Sequence, residues 1–305
     1  MSGTIGGMIT VGIALIAVAG TADAGVIRVP RDRPTIQAAV DAAADGDVIF
    51  VAAGRHCGAS IDREVHLIAA WGAVVEGCAS NPALSGGLRI GLLLVDERAS
   101  GTSIAGFRFD GAGIGDDDLR PLALAIVGRG AHGVSVVGNR IDGTVQGITN
   151  TDGDGWTIAG NVLAGLTVFP CVVRCGGGDG IVLMRRTRDP DDRATGNAVV
   201  LNRVSGAVPA GFDVFDMVGV FVLGQDRPVV AANRLAITGA GSATARGLGV
   251  QVSDVCCGDA PYATTRGAVV VGNDGRGSEI AVEIAAGNSE GAIVRGNLGV
   301  VIVDD

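Results

Sequence analysis

Val137-Gly138-Asn139-Arg140-Ile141 returns in altered form five times: Ile158-Ala159-Gly160-Asn161-Val162, Val200-Leu201-Asn202-Arg203-Val204, Val230-Ala231-Ala232-Asn233-Arg234-Leu235, Val271-Gly272-Asn273 and Val294-Arg295-Gly296-Asn297-Leu298. Successive asparagines are separated by 22, 41, 31, 40 and 24 residues. A minimum near 22 with variable excess marks a short structural unit that accepts insertions at its surface. Self-similarity of this kind is the signature of a solenoid.

Each repeat carries a second short apolar run: Gly147-Ile148-Thr149, Gly180-Ile181-Val182-Leu183, Gly219-Val220-Phe221-Val222-Leu223, Gly247-Leu248-Gly249-Val250 and Gly299-Val300-Val301-Ile302. These runs are β-branched and bounded by Gly, Asn and Asp, which favours strands over helices. Stacked in parallel about 4.8 Å apart, each coil buries one face of the next. Asparagine tolerates the left-handed backbone of a tight bend, and its amide can bond the copy in the neighbouring coil.

Asp47–Val51, Val65–Ile68, Leu92–Val95, Leu122–Ile126 and Ile280–Ile284 read as further strands, and Phe107 stands in an asparagine slot. Roughly nine or ten coils result. Arg33–Ala43 is the one predicted helix, with Pro34 near its first turn and Ile36, Ala39, Val40 and Ala43 on one face. It is placed to cap the first coil. The fold expected is all-β, a single right-handed parallel β-helix spanning residues 25–305.

Ile27–His56 resembles the opening segment of pectin-lyase-like right-handed β-helix proteins. The coils are similar to repeats of the nitrous-oxide-reductase accessory type. That fold hosts lyases, hydrolases, esterases, epimerases and inert stalks, so the resemblance implies architecture and not chemistry.

Residues 1–24 read as a secretory signal peptide, with an apolar core over Ile9–Ala19 and Ala22-Asp23-Ala24 at the cleavage site, although no basic residue precedes the core. No later run reaches membrane length. A secreted or periplasmic location suits the six cysteines. Cys57 and Cys78, one coil apart, are candidates for a bridge, as are Cys171 and Cys175 within one insertion. Cys256 and Cys257 are adjacent, and their redox state is open. The net charge of −9 disfavours nucleic acid. The chain contains no lysine, which removes Schiff-base and lysine-base chemistry.

Alternation along the short strands points Ile148, Ile181, Val220 and Leu248 inward. Thr149, Val182, Phe221 and Gly249 then point outward, with Thr151, Met184, Leu223 and Gln251 two residues on. The outer face so drawn is apolar, with no stack of acids, arginines or rings, and is expected to meet a polysaccharide or protein partner.

Catalytic candidates lie in the acidic loops: Asp152, Asp179, Asp213 and Asp216. Asn150-Thr151-Asp152-Gly153 and Gly178-Asp179-Gly180-Ile181 are similar to two polygalacturonase motifs, whose carboxylates flank the scissile bond. Gly180 replaces the second acid there, and no Gly-His-Gly or Arg-Ile-Lys follows. Arg185, Arg186 and Arg188 are the substrate-binding candidates, and an Asp152–Arg185 pair across coils is an adequate structural account of both. No cofactor is expected; calcium at Asp152 and Asp154 is the alternative. The leading expectation is an exported, non-catalytic carbohydrate- or protein-binding scaffold. The rival is a polysaccharide lyase or glycoside hydrolase with an atypical site in the acidic loops.

Overall fold

A computed structural model describes residues 24–84, 87–111, 122–168, 178–211, 215–242, 244–256 and 261–304. Residues 1–23 of the expected signal peptide, Asp213, Cys171, Cys175 and Cys257 lie outside the described residues.

The chain is a right-handed parallel β-helix. Three long sheets of ten, nine and seven strands run along it, and their strands pair in parallel with the preceding and following coils. A typical coil passes from Ser135–Val137 in the ten-stranded sheet to Arg140–Asp142 in the seven-stranded sheet and Gln146–Thr151 in the nine-stranded sheet. The next coil repeats this with Thr157–Ala159, Val162–Leu166 and Asp179–Met184. Ile280–Ile284 forms a strand of the nine-stranded sheet, as read from sequence.

The inner residues are aliphatic because every coil must shield the one beneath it. Ile148, Ile181, Val220, Val250 and Val282 stack in register and are buried, as are Val136, Ile158, Val199, Val230 and Val270 on the ten-stranded sheet. One assignment needs correction. Leu248 pairs with Val218 on the outside, and Val250 takes the inward place opposite Val220. Gln251 therefore continues the Thr149–Val182–Phe221 row, and Gly249 does not. Gly247-Leu248-Gly249-Val250 offers two glycine starts two residues apart; Gly249, not Gly247, falls opposite Gly219, and the strand departs from strict alternation at this glycine, leaving Leu248 outside and Val250 inside.

The asparagine ladder turns the corner between the ten- and seven-stranded sheets. The Asn139 backbone N–H donates to Asn161 Oδ1 (2.9 Å), and Asn161 to Asn202, Asn202 to Asn233, Asn233 to Asn273 and Asn273 to Asn297 repeat the bond at 2.9–3.0 Å. Each Nδ2 in that series also donates to the next Oδ1. Phe107 occupies the preceding slot and donates its N–H to Asn139 Oδ1 (3.0 Å). The residue before each asparagine is left-handed: Gly160 has φ 63°, while Leu201 and Ala232 hold φ 60° and 54° despite their side chains.

A second inner ladder is not marked by a repeat. Asn150 donates to Asn197 Oδ1 (3.3 Å), Asn197 to Gln225 Oε1 (2.7 Å), the Gln225 N–H to Thr265 Oγ1 (3.3 Å) and the Thr265 N–H to Asn288 Oδ1 (2.8 Å). The helix is shorter than predicted, Ile36–Ala42, with Thr35 as N-cap. It buries Ile36, Ala39 and Val40 against the first coils. Cys57 and Cys78 are bridged, with Cα atoms 5.5 Å apart. Cys256 is also disulfide-bonded. Among the described residues no helix is long and apolar enough to cross a membrane.

Candidate functional site

Two outer faces hold the chemistry. On the nine-stranded sheet the apolar rows are not an open surface. Val182, Met184, Val218, Phe221, Leu223 and Leu248 form a buried cluster over which Cys256, Tyr262 and Ile280 pack. A second cluster, Leu88, Ile90, Ala123, Leu124 and Val127, is flanked by Leu84 and Leu93. The expected partner-binding apolar face is thus closed by the chain's own loops, because exposed side chains this apolar are better removed from water within the chain.

Between the clusters lies a short polar strip. Asp179 stands beside Gln146 in register, and Gln146 Nε2 donates to Asp179 Oδ2 (3.5 Å) while Thr149 Oγ1 donates to Gln146 Oε1 (3.4 Å). The residue is half-buried, and loss of water around its carboxyl pushes the pKa up to about 7. Asp216 is elsewhere engaged. Arg246 donates to Asp216 (2.7 Å) and to Glu283 (2.6 Å), and Gln251 donates to Glu283 (2.9 Å). Hydrogen bonding to Asp216 and then to Glu283 holds the Arg246 guanidinium firmly protonated.

The remaining candidates are tied down locally. Asp152, at φ 64°, accepts the Arg186 N–H at Oδ1 (3.2 Å), and Arg185 donates to the Asp152 carbonyl (2.9 Å) and pairs with Asp192. The expected Asp152–Arg185 charge pair does not form: the Asp152 carboxylate takes the Arg186 N–H, and Arg185 reaches only the Asp152 carbonyl while its ion pair is with Asp192. Arg188 lies over the Tyr262 ring at 5.5 Å. Asp154 accepts the Thr195 N–H (2.8 Å) and sits 3.4 Å from His132. Among the described residues no group of three or more His, Cys, Asp or Glu gathers as a metal site.

The second face is the outside of the seven-stranded sheet. Here the residue after each ladder asparagine points outward, because inward and outward alternate along a strand. Arg55, Val74, Arg108, Arg140, Val162, Arg203 and Arg234 form one row in coil register. Cys57, Glu76, Asp110, Asp142 and Ala164 form the next. Arg55 pairs with Glu76 and with Asp110 (3.2 Å), Arg108 with Asp142 (3.1 Å) and Arg140 with Asp142 (2.7 Å). The guanidinium groups stay half or more exposed, with side-chain exposures of 60%, 51% and 55% for Arg55, Arg108 and Arg140. On the turn leading into Ala73–Glu76 stands Trp71, 99% exposed. The signal for this face lies in the repeat itself: Asn-Arg in adjacent positions sends one side chain in and the other out.

No family model matches the chain, and no curated protein matches it. Two solved structures do. One is the A-module of the mannuronan C-5 epimerase AlgE4 of Azotobacter vinelandii, at 15% identity over 93% of this chain and 94% of that one, with a TM-score of 0.31. The other is the Dettilon tailspike protein gp208, at 12% identity over 92% of this chain and 68% of that one, with a TM-score of 0.30. Likenesses this distant leave activity to be argued from the side chains.

Proposed function

We propose that this chain is an exported, non-catalytic β-helix scaffold that binds an extended polysaccharide across the outside of its seven-stranded sheet. The observation that carries the reading is the pair of rows, arginine beside carboxylate, repeating with the coil on an exposed face. Guanidinium forks donate and carboxylates accept, so together they can grip the hydroxyl groups of successive sugar units. Trp71 adds an exposed ring, the kind of apolar body with a polar tip that is favoured at binding surfaces. Export is supported by the disulfide at Cys57 and Cys78. A pectin-lyase-like affiliation, supported by the Ile27–His56 resemblance, belongs to the same proposal.

The test is retention on a panel of immobilised polysaccharides, comparing the native chain with Arg108→Ala/Arg140→Ala. Binding that falls at least about tenfold while melting is unchanged supports the reading, since each charge-assisted bond supplies roughly that factor. Unaltered retention in the double variant removes it.

A second reading rests on Asp179. A carboxyl held near pH 7 by burial suits general acid–base work. Reducing-sugar and unsaturated-product assays, with and without calcium, address it. Turnover that vanishes in Asp179→Asn would favour this enzyme reading over the scaffold.

A further inference from the structure

The arginine row changes character along the β-helix. In the earlier coils each arginine stands beside an acid: Glu76, Asp110 or Asp142. From Ala164 onward the acidic row ends, and the following strands carry Ser205 and Ala236 in register with each other. At that point Arg203 and Arg234 lie directly opposite one another on adjacent strands. Both are exposed, and neither has an ion pair among the described residues. The next residue in the row, Asp274, stands in register with Arg234 and pairs with Arg276 at 2.9 Å; hydrogen bonding to Arg276 first, and the charges of Arg276 and Arg234 after it, hold its carboxyl down at about 2.

Like charges directly opposite across a strand pair are destabilising. Elsewhere on this sheet an acid stands between the arginines, and here it is missing. Two guanidinium forks one coil apart, with the neutral Ser205 and Ala236 in the next row and with Asp274, which follows Arg234, already paired to Arg276, match an oxyanion that accepts from both. Leu201, 45% exposed and left-handed on the corner two residues before Arg203, offers an apolar contact next to the pair.

We infer that Arg203 and Arg234 form an anion subsite that selects acidic sugars, binding a carboxylate or sulfate ester carried by the polysaccharide. This rests on the scaffold reading above and specifies its ligand class. The earlier coils, neutralised by their own acids, would hold hydroxyl groups, and the later ones the charged unit.

Isothermal titration at fixed ionic strength tests it with three probes: a uronic-acid oligosaccharide, the same oligosaccharide with its carboxyls reduced to alcohols, and a sulfated oligosaccharide. The native chain is expected to bind an acidic probe about tenfold or more tighter than the reduced one, the factor of one charge-assisted bond. The uronate and sulfate arms show which oxyanion is preferred. In Arg203→Gln/Arg234→Gln that preference is expected to vanish while affinity for the reduced probe persists. Equal affinity for acidic and reduced probes, or a preference that survives the double substitution, overturns the subsite and leaves the scaffold reading standing. Failure to bind any of the three overturns both. Because the two arginines are exposed like charges, a melting temperature unchanged or slightly raised is expected to show that the double variant is folded.

Discussion

Replacing Asn161 by alanine probes the corner on which the whole stack depends. Asn161 Oδ1 accepts the Asn139 N–H (2.9 Å) and Asn139 Nδ2 (3.1 Å), and its own Nδ2 donates to the Val136 carbonyl (2.9 Å) and Asn202 Oδ1 (3.0 Å). Asn139 Nδ2 keeps a second acceptor in the Ile104 carbonyl, and Asn202 Oδ1 keeps the Asn161 N–H. The Asn139 backbone N–H keeps no partner, in a residue that is 1% exposed. An orphaned buried donor costs about 1–3 kcal/mol, and the other lost bonds add about 1 kcal/mol net. Asn161→Ala should therefore lose about 2–4 kcal/mol in urea unfolding followed by circular dichroism. Asn297 makes matching bonds to Asn273 and to the Val270 carbonyl, but at a partly exposed end where water can replace them. Asn297→Ala should lose about 1 kcal/mol or less. Equal losses at the two positions, or a loss below about 0.5 kcal/mol at Asn161, would refute the ladder as a source of stability.

Four further outcomes follow from local geometry. Asp179 is better accommodated protonated, so its contribution is fully present below the unfolded-state pKa near 4 and is lost as pH rises through about 7; Asp179→Asn should flatten the decline and gain about 2–4 kcal/mol at pH 8, and identical pH slopes would contradict this. Gly160 has open space where a methyl group would stand but φ 63°, so Gly160→Ala should cost about 1 kcal/mol from strain alone. Gly128→Ala should cost more in the same denaturation series, because its Cβ would lie 2.4 Å from the Trp156 ring, which is fully buried. Removing the 21-residue bridge in Cys57→Ser/Cys78→Ser should cost about 3 kcal/mol, read as a lower urea midpoint.

The architecture was legible because one corner is chemically demanding. A left-handed residue followed by an inward amide leaves few choices, so Gly-Asn recurs even when the intervening loops differ in length. Phe107 could be placed in that slot because the residues around it keep the pattern. Strand register inside Gly247-Leu248-Gly249-Val250 was less legible, since apolar residues on both faces erase the alternation that marks inside from outside. The second ladder leaves no repeat in the sequence for a similar reason: Asn150, Asn197, Gln225, Thr265 and Asn288 share a place in space without sharing a residue type. The closure of the apolar outer rows depends on the loop bearing Cys256 and Tyr262, a contact between segments far apart in sequence. The arginine face could have been read directly, one step along the chain from each asparagine.

Arginine-selective dicarbonyl labelling, read by peptide mass spectrometry with and without bound polysaccharide, addresses the binding face most directly, since the chain has no lysine to compete for the reagent. Arg108, Arg140, Arg203 and Arg234 should be protected together, while Arg31 and Arg227, with side chains 77% and 79% exposed, stay reactive. Protection confined to Arg185, Arg186 and Arg188, with the seven-stranded face still fully reactive, would contradict the account.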